Sequence, residues 1–277
     1  SALLTDSCGP TSSMPKLAAN ISMMFTEVPF MERFAAVARA GFKAVEYLFP
    51  YDYRASDIAH ALHDAGLENA LFNLPPGDWE NGERGLAAIP GREAAFEALV
   101  DQALDYARIF GCKRLHVMAG IKPKDAPMAA CRATYIRNIK HAAKQFAPHG
   151  ITVLLEPINS RDIPGFYLNR QDDAIAVLKA VGAVNAALQM DLYHCQIVEG
   201  DVAMKIRANI AHIAHFQIAG VPDRHEPDIG EVNYPYLFDV IDSLDYTGWV
   251  GCEYRPKGAT LDGLGWAAPY GIAGGSA

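Results

Sequence analysis

The chain repeats one alternation eight times: a short apolar run that reads as a buried strand, followed in most repeats by an amphipathic segment with the period of a helix. The apolar runs fall at 17–22, 44–49, 69–74, 114–119, 152–156, 186–191, 213–218 and 249–253. Helical patterns lie near 29–40, 55–65, 91–110, 129–148, 171–181, 201–210 and 234–243. The spacing averages about 33 residues, the length of one strand and helix unit. Gly41, Gly66, Gly111, Gly150 and Gly182 each close an amphipathic run, where a left-handed residue ends a helix. Eight such units predict an α/β fold, a single-domain (β/α)8 TIM barrel. An open doubly wound sheet would need a glycine-rich phosphate loop after its first strand, and the segment from Asn20 to Thr26 contains no glycine.

Residues 1–13 are small and turn-forming, and are expected to be a tail, either a vector-derived remnant or an upstream extension; residues 14–277 are assigned to the barrel. With 277 residues, 51% of them hydrophobic, the chain can bury one large core. A net charge of −8 argues against a nucleic-acid partner, which calls for a basic stripe to release counterions. No apolar stretch approaches the roughly 18 residues of a membrane span, and no basic segment leads into an apolar one at the N-terminus. The expectation is therefore a cytoplasmic enzyme with no membrane partner. Its five cysteines lack any Cys-x-x-Cys pair and read as reduced thiols.

The chemistry gathers in the second half. Four of the runs end in Glu156, Asp191, Gln217 and Glu253, and polar ends on buried strands are best explained by an open mouth beyond them. Three carboxylates at one mouth repel each other unless a cation joins them. All-oxygen ligation favours magnesium, manganese or cobalt over a structural zinc. His194, three residues past Asp191, is placed either to donate to a substrate oxygen or to serve as a structural hydrogen-bonder. Arg224, in the polar loop after the seventh strand, and Lys257, after the eighth, are candidates to hold an anionic, oxygen-rich small substrate. Glu46 and Asn73 stand near strand ends in the first half and are expected to border the same mouth, with Tyr47, Phe72 and Trp79 as an apolar wall. His215 is expected to share the inward face of Gln217 but lie deeper, and His116, inside a strand, is expected to be buried. The chain has no Gly-x-Ser-x-Gly elbow, no phosphate-cradling Gly-x-x-x-x-Gly-Lys and no His-Glu-x-x-His pair.

Seven ordered segments carry a family resemblance: Val45 to Asp52, Phe72 to Trp79, His116 to Gly120, Leu155 to Asn159, Gln189 to His194, His215 to Ala219 and Cys252 to Pro256. Together, over about residues 16 to 266, they resemble the hydroxypyruvate isomerase family of the xylose-isomerase-like barrels, which includes 2-oxotetronate isomerases. The resemblance implies a divalent metal, magnesium or manganese, on Glu156, Asp191, Gln217 and Glu253, with Glu156 and Glu253 also placed for proton transfer. It implies substrate contacts by His194 and Arg224, and isomerisation of a small hydroxy-oxo acid through an enediolate. The alternatives are a ketose 3-epimerase, from whose pattern the chain departs by having Gln217 where a histidine is usual, and a non-catalytic barrel that binds sugar acids. A homo-oligomer is expected by analogy with related barrels.

Overall fold

The structure is a computed structural model in which residues 15–273 are described; the expected tail, residues 1–13, lies outside them. Eight parallel strands close into a barrel in sequence order. They are β1 (Lys16–Asn20), β2 (Ala44–Glu46), β3 (Glu68–Asn73), β4 (Arg114–His116), β5 (Thr152–Leu155), β6 (Ala186–Asp191), β7 (Ile213–Ile218) and β8 (Trp249–Cys252). The last pairs with the first, Ala18 opposite Gly251. The helices are α1 (Phe30–Arg39), α2 (Ala55–Ala65), α3 (Glu93–Phe110), α4 (Met128–Phe146), α5 (Gln171–Val181), α6 (Leu192–Val198), α7 (Val202–Asn209) and α8 (Tyr234–Asp242). The predicted barrel is therefore the observed one. No helix among the described residues is long and apolar enough to cross a membrane.

Strands β1, β2, β4, β5 and β8 are shorter than the apolar runs that announce them. In the runs 114–119 and 44–49 the strand ends at His116 and Glu46, and single backbone bonds carry on beyond it, Val117 N–H to Leu154 O at 3.0 Å and Asn73 N–H to Leu48 O at 2.9 Å. Alternation along each strand sends one set of side chains inward and the other toward the helices. The outward set joins the helices in one large apolar cluster that includes Phe34, Tyr47, Phe72, Phe96, Phe146 and Phe216. Inside the barrel, Ala18, Ala44 and Ala70 leave room for the indole of Trp249, whose Nε1 donates to Glu68 at 2.9 Å. This plug forms the floor, so polar inward residues nearer the strand C-terminal ends stand above it. The cysteines at 112, 131, 195 and 252 are buried, and burial pushes the Cys112 and Cys195 thiols up to about 12.

Helix α6 was not foreseen. It begins directly after Asp191, with no intervening loop, because the Asp191 side chain caps it: Oδ1 accepts from the Tyr193 N–H at 2.8 Å. One aspartate thus ends a strand, starts a helix and leaves its second oxygen free for the barrel mouth.

Candidate active site

The inward polar residues form two decks. In the lower deck Glu46 is fully buried. Its Oε2 accepts from His215 Nε2 at 2.6 Å, and its Oε1 accepts from Gln217 Nε2 at 2.7 Å and Asn20 Nδ2 at 3.1 Å. Gln189 Nε2 donates to Gln217 Oε1 at 2.6 Å. This network fits only because residue 251 is glycine: a Cβ there would stand 2.2 Å from Glu46 Oε2. Glu46, expected at the mouth, is therefore a structural anchor one level beneath it. Gln217 is also held in this deck, with one lone pair of its oxygen already engaged.

The upper deck holds the acids. Glu156 follows β5, Asp191 ends β6 and Glu253 follows β8; all three are buried. Glu156 Oε1 and Asp191 Oδ2 accept no hydrogen bond, and His194 Nε2 lies 3.6 Å from each. Asn20 bridges the decks, its Nδ2 also reaching Glu253 Oε1 at 3.3 Å. Burial raises the carboxyl pKa of Glu156 well above the ordinary range, and the neighbouring Glu253 and Asp191 raise it further. Burial does the same to Glu253, with Arg224 opposing it, and to Asp191, with Arg224 again opposing it.

Arg224 is the counterweight. Its Nη2 donates to Glu253 Oε2 at 3.0 Å and lies 3.8 Å from Asp191 Oδ2, while Nη1 reaches Asp162 Oδ2 at 3.3 Å. The guanidinium sits over the Tyr193 ring, whose hydroxyl donates to the same Asp162 oxygen at 2.9 Å. Burial works against the Arg224 charge, but Glu253, Asp191, Glu156 and Asp162 more than offset it. Its backbone is left-handed, with φ of 61°, a conformation that costs a non-glycine residue about 1 kcal/mol. Two backbone hydrogen bonds hold it there: Arg224 N–H to Gly220 O and Arg255 N–H to Arg224 O, both 2.8 Å.

The tautomer of His194 follows from its partners. The backbone N–H of Asp162 donates to Asn159 Oδ1 at 2.8 Å, which fixes the orientation of that amide. Asn159 Nδ2 then donates to His194 Nδ1 at 2.8 Å, and the Asn159 backbone N–H points at the same atom from 3.2 Å. Nδ1 is an acceptor, so the proton of the neutral ring is on Nε2, toward the acids. The ring is neutral because burial, together with Arg224 and His116, pulls its pKa well below the usual value. His116 Nδ1 stands 3.3 Å from Glu156 Oε2, and burial, then His215, lowers His116 to about 3.

A cavity of about 410 Å³ opens above this deck. Glu156, Glu253, His194 and Arg224 lie on it, as does Asn73, and Trp79 and Met118 form part of its wall. Lys257 does not reach it: the residue is exposed, and its backbone N–H donates to the Glu226 carboxylate. Arg255, in the cationic segment that follows the eighth strand, lines the cavity as well, and so do Arg84, Asp162 and Ile163, which carry no signal in the sequence. Arg84, Asp162 and Ile163 lie on loops, several residues from the strand ends. Asn159 was visible only as part of the Leu155 to Asn159 segment.

Comparison with known proteins agrees with this architecture. Residues 34–270 match the family model described as xylose isomerase-like TIM barrel. A 2-oxo-tetronate isomerase of Cupriavidus necator is 60% identical over 257 residues, spanning 93% of this chain and 99% of the relative. A hydroxypyruvate isomerase of Escherichia coli is 44% identical over 257 residues, spanning 93% of this chain and 100% of the relative. The crystal structure of a protein from Brucella melitensis described as an AP endonuclease of family 2 superposes with a TM-score of 0.92 at 54% identity, covering 93% of this chain and 99% of that one.

Proposed function

We propose, since this chain belongs to the hydroxypyruvate isomerase family of xylose isomerase-like TIM barrels, that it isomerises a small hydroxy-oxo acid by carrying a proton between adjacent carbons. The observation that carries this reading is a pair of buried glutamates, Glu156 and Glu253, on the floor of one cavity with their carboxyl pKa values raised toward the working range of general bases. Hydroxypyruvate and its four-carbon 2-oxotetronate analogue each carry a ketone beside a hydroxyl-bearing carbon. Moving a proton from C3 to C2 passes through an enediolate, and the barrier is charge on oxygen.

The donor set suits a divalent cation. Glu156 Oε1 and Asp191 Oδ2 are buried carboxylate oxygens without hydrogen bonds, and hard oxygen donors of this kind prefer magnesium or manganese. Glu156, Asp191 and Glu253 would hold it, with the remaining lone pair of Gln217 Oε1 as a fourth donor; when bound, it supplies Lewis-acid stabilisation of the developing oxyanion. His194 belongs with Glu156 and Asp191 by distance, but its Nε2 proton makes it a donor rather than a ligand.

The chain's own groups then divide the work. One glutamate removes the C3 proton, and either the same one or its partner returns a proton to C2, the substrate being held so that a carboxylate stands within about 3 Å of the carbon. His194 donates a hydrogen bond from Nε2 to a substrate oxygen, and the C3 hydroxyl proton passes to the C2 oxygen as the enediolate is reprotonated on carbon. Arg224, through its Nη2 hydrogen bond to Glu253 Oε2, opposes the burial that favours the neutral form of that carboxyl. The nuclease name of the Brucella relative finds no support in the charge of this chain, −8 overall.

Changing the partner of His194 tests its tautomer. Asn159→Asp offers Nδ1 an acceptor in place of a donor, moves the ring proton away from the site and is expected to lower kcat about 10- to 100-fold, as loss of an orienting partner typically does. Steady-state kinetics at saturating substrate reads this out; an unchanged kcat would remove the donor role. The reaction itself is tested by assaying hydroxypyruvate, 2-oxotetronate and a six-carbon ketose side by side with magnesium or manganese. Turnover confined to the acids is expected. Preference for the ketose would replace the proposal with 3-epimerisation, and binding without turnover would leave a sugar-acid binding barrel.

A further inference from the structure

We infer that Arg84, on the loop between β3 and α3, is the residue that reads the carboxylate of the substrate. The inference deepens the isomerase reading and takes from it only that the ligand is a small acid. Three arginines line the cavity, and their surroundings separate them. Arg224 is committed: Glu253, Asp191 and Asp162 already surround its guanidinium. Arg255 is exposed, and only its backbone is held, through its N–H to Arg224 O and its carbonyl against His225 Nδ1.

Arg84 is held rigidly yet has donors to spare. Its guanidinium stacks on the Trp79 ring, 3.5 Å from the centroid. Its Nη1 donates to the carbonyls of Trp79 at 2.9 Å and Glu83 at 2.8 Å, which uses both hydrogens of that nitrogen. The Nε and Nη2 edge, the side that grips a carboxylate with two parallel hydrogen bonds, has no protein partner among the described residues. The neighbouring acid is not available to neutralise it, because Glu83 pairs with Arg92 and accepts from the Asp78 N–H at 2.6 Å. The loop is pinned to the cavity wall at the next residue: Gly85 has φ of 97°, and a Cβ there would lie 2.2 Å from the Met118 carbonyl. An arginine fixed by a ring and two carbonyls, with one fork unpaired over a cavity, is preorganised for a planar anion. Arg84 lines the same cavity as Glu156 and Glu253, so a 2-oxo acid held by its carboxylate on Arg84 would present its remaining carbons to the two glutamates.

The test uses binding, so that it does not depend on turnover. D-glycerate is a three-carbon hydroxy acid with no carbonyl to isomerise, and its affinity for the metal-loaded full chain is measured by calorimetry, with glycerol as the neutral control. Arg84→Gln is expected to weaken glycerate binding roughly 10- to 100-fold, the range for a lost charge-assisted pair. Arg84→Lys keeps the charge without the planar fork and is expected to fall between the two, and it serves as the readout if the glutamine variant does not fold. Equal glycerate affinity in wild type and in whichever variant folds overturns the assignment. Glycerate binding that depends on Arg84 in a protein that never converts hydroxypyruvate supports Arg84 while sinking the isomerase reading, so the two fail separately.

Discussion

Replacing either Glu156 or Glu253 by glutamine is expected to lower turnover of the preferred hydroxy-oxo acid by about 10³-fold or more, since general acid–base groups contribute roughly 10²- to 10⁴-fold and each glutamate also belongs to the proposed cation site. The fold should survive, because both side chains lie on a cavity and outside the packed apolar cluster. Indeed, the metal-free Glu156→Gln variant is expected to melt at or above the wild-type temperature, whereas Glu253→Gln also takes an ion-pair partner from Arg224. The Glu156 substitution removes a carboxyl whose burial beside other acids raises its pKa, and such a group contributes least to stability when it is ionised. A stability gain with a loss of activity at the same residue is the signature of a site built against its own electrostatics. Near-normal rates in both variants would end the two-glutamate proposal.

The second large effect concerns stability. Arg224→Gln leaves Glu253 and Asp191 buried without their cation, and removal of one partner from a buried ion pair costs about 3 to 5 kcal/mol. The cost should depend on pH in a definite direction. The carboxyls of Glu156, Asp191 and Glu253 have pKa values above those of the unfolded chain, so the folded protein binds protons more tightly than the unfolded one. Stability from these groups is complete below the ordinary carboxylate range and is lost as pH rises through their folded pKa values. In chelator-treated protein, the gap between wild type and Arg224→Gln in urea unfolding should therefore be small near pH 5 and widen toward pH 8. A gap that narrows as pH rises would show that Arg224 does not compensate these acids.

The barrel and the identity of its acids were legible because they rest on local signals. Buried strands announce themselves by apolar runs, and a carboxylate at the end of such a run has few places to be except a mouth. Depth was not legible. Glu46 and Glu253 look alike in sequence, each near the end of a short strand, yet Glu46 is locked beneath the acid cluster by His215, Gln217 and Asn20. What separates them is the tilt and stagger of strands in a closed barrel, a property of the whole sheet that no single strand encodes. The absence of a side chain at Gly251 is the trace of that layering, intelligible only once the Glu46 carboxylate is seen to fill the space. Lys257 and Arg84 make the complementary case. Both are cations on rim loops, and loop conformation decides that Arg84 reaches the cavity while Lys257 is turned to solvent. The tautomer of His194 was likewise beyond sequence, since it depends on the backbone of Asn159 and Asp162 meeting the ring.

Proton transfer by the buried glutamates is the claim on which the rest depends, and isomerisation of hydroxypyruvate by the metal-loaded protein in deuterated water examines it directly. Proton NMR of the product should show deuterium at the carbon that receives the transferred proton in the wild-type reaction, with both incorporation and turnover lost in Glu156→Gln and Glu253→Gln. Product formed at the wild-type rate, with the wild-type deuterium content, by both glutamine variants would mean that the hydrogen moves without either glutamate, and would contradict the account.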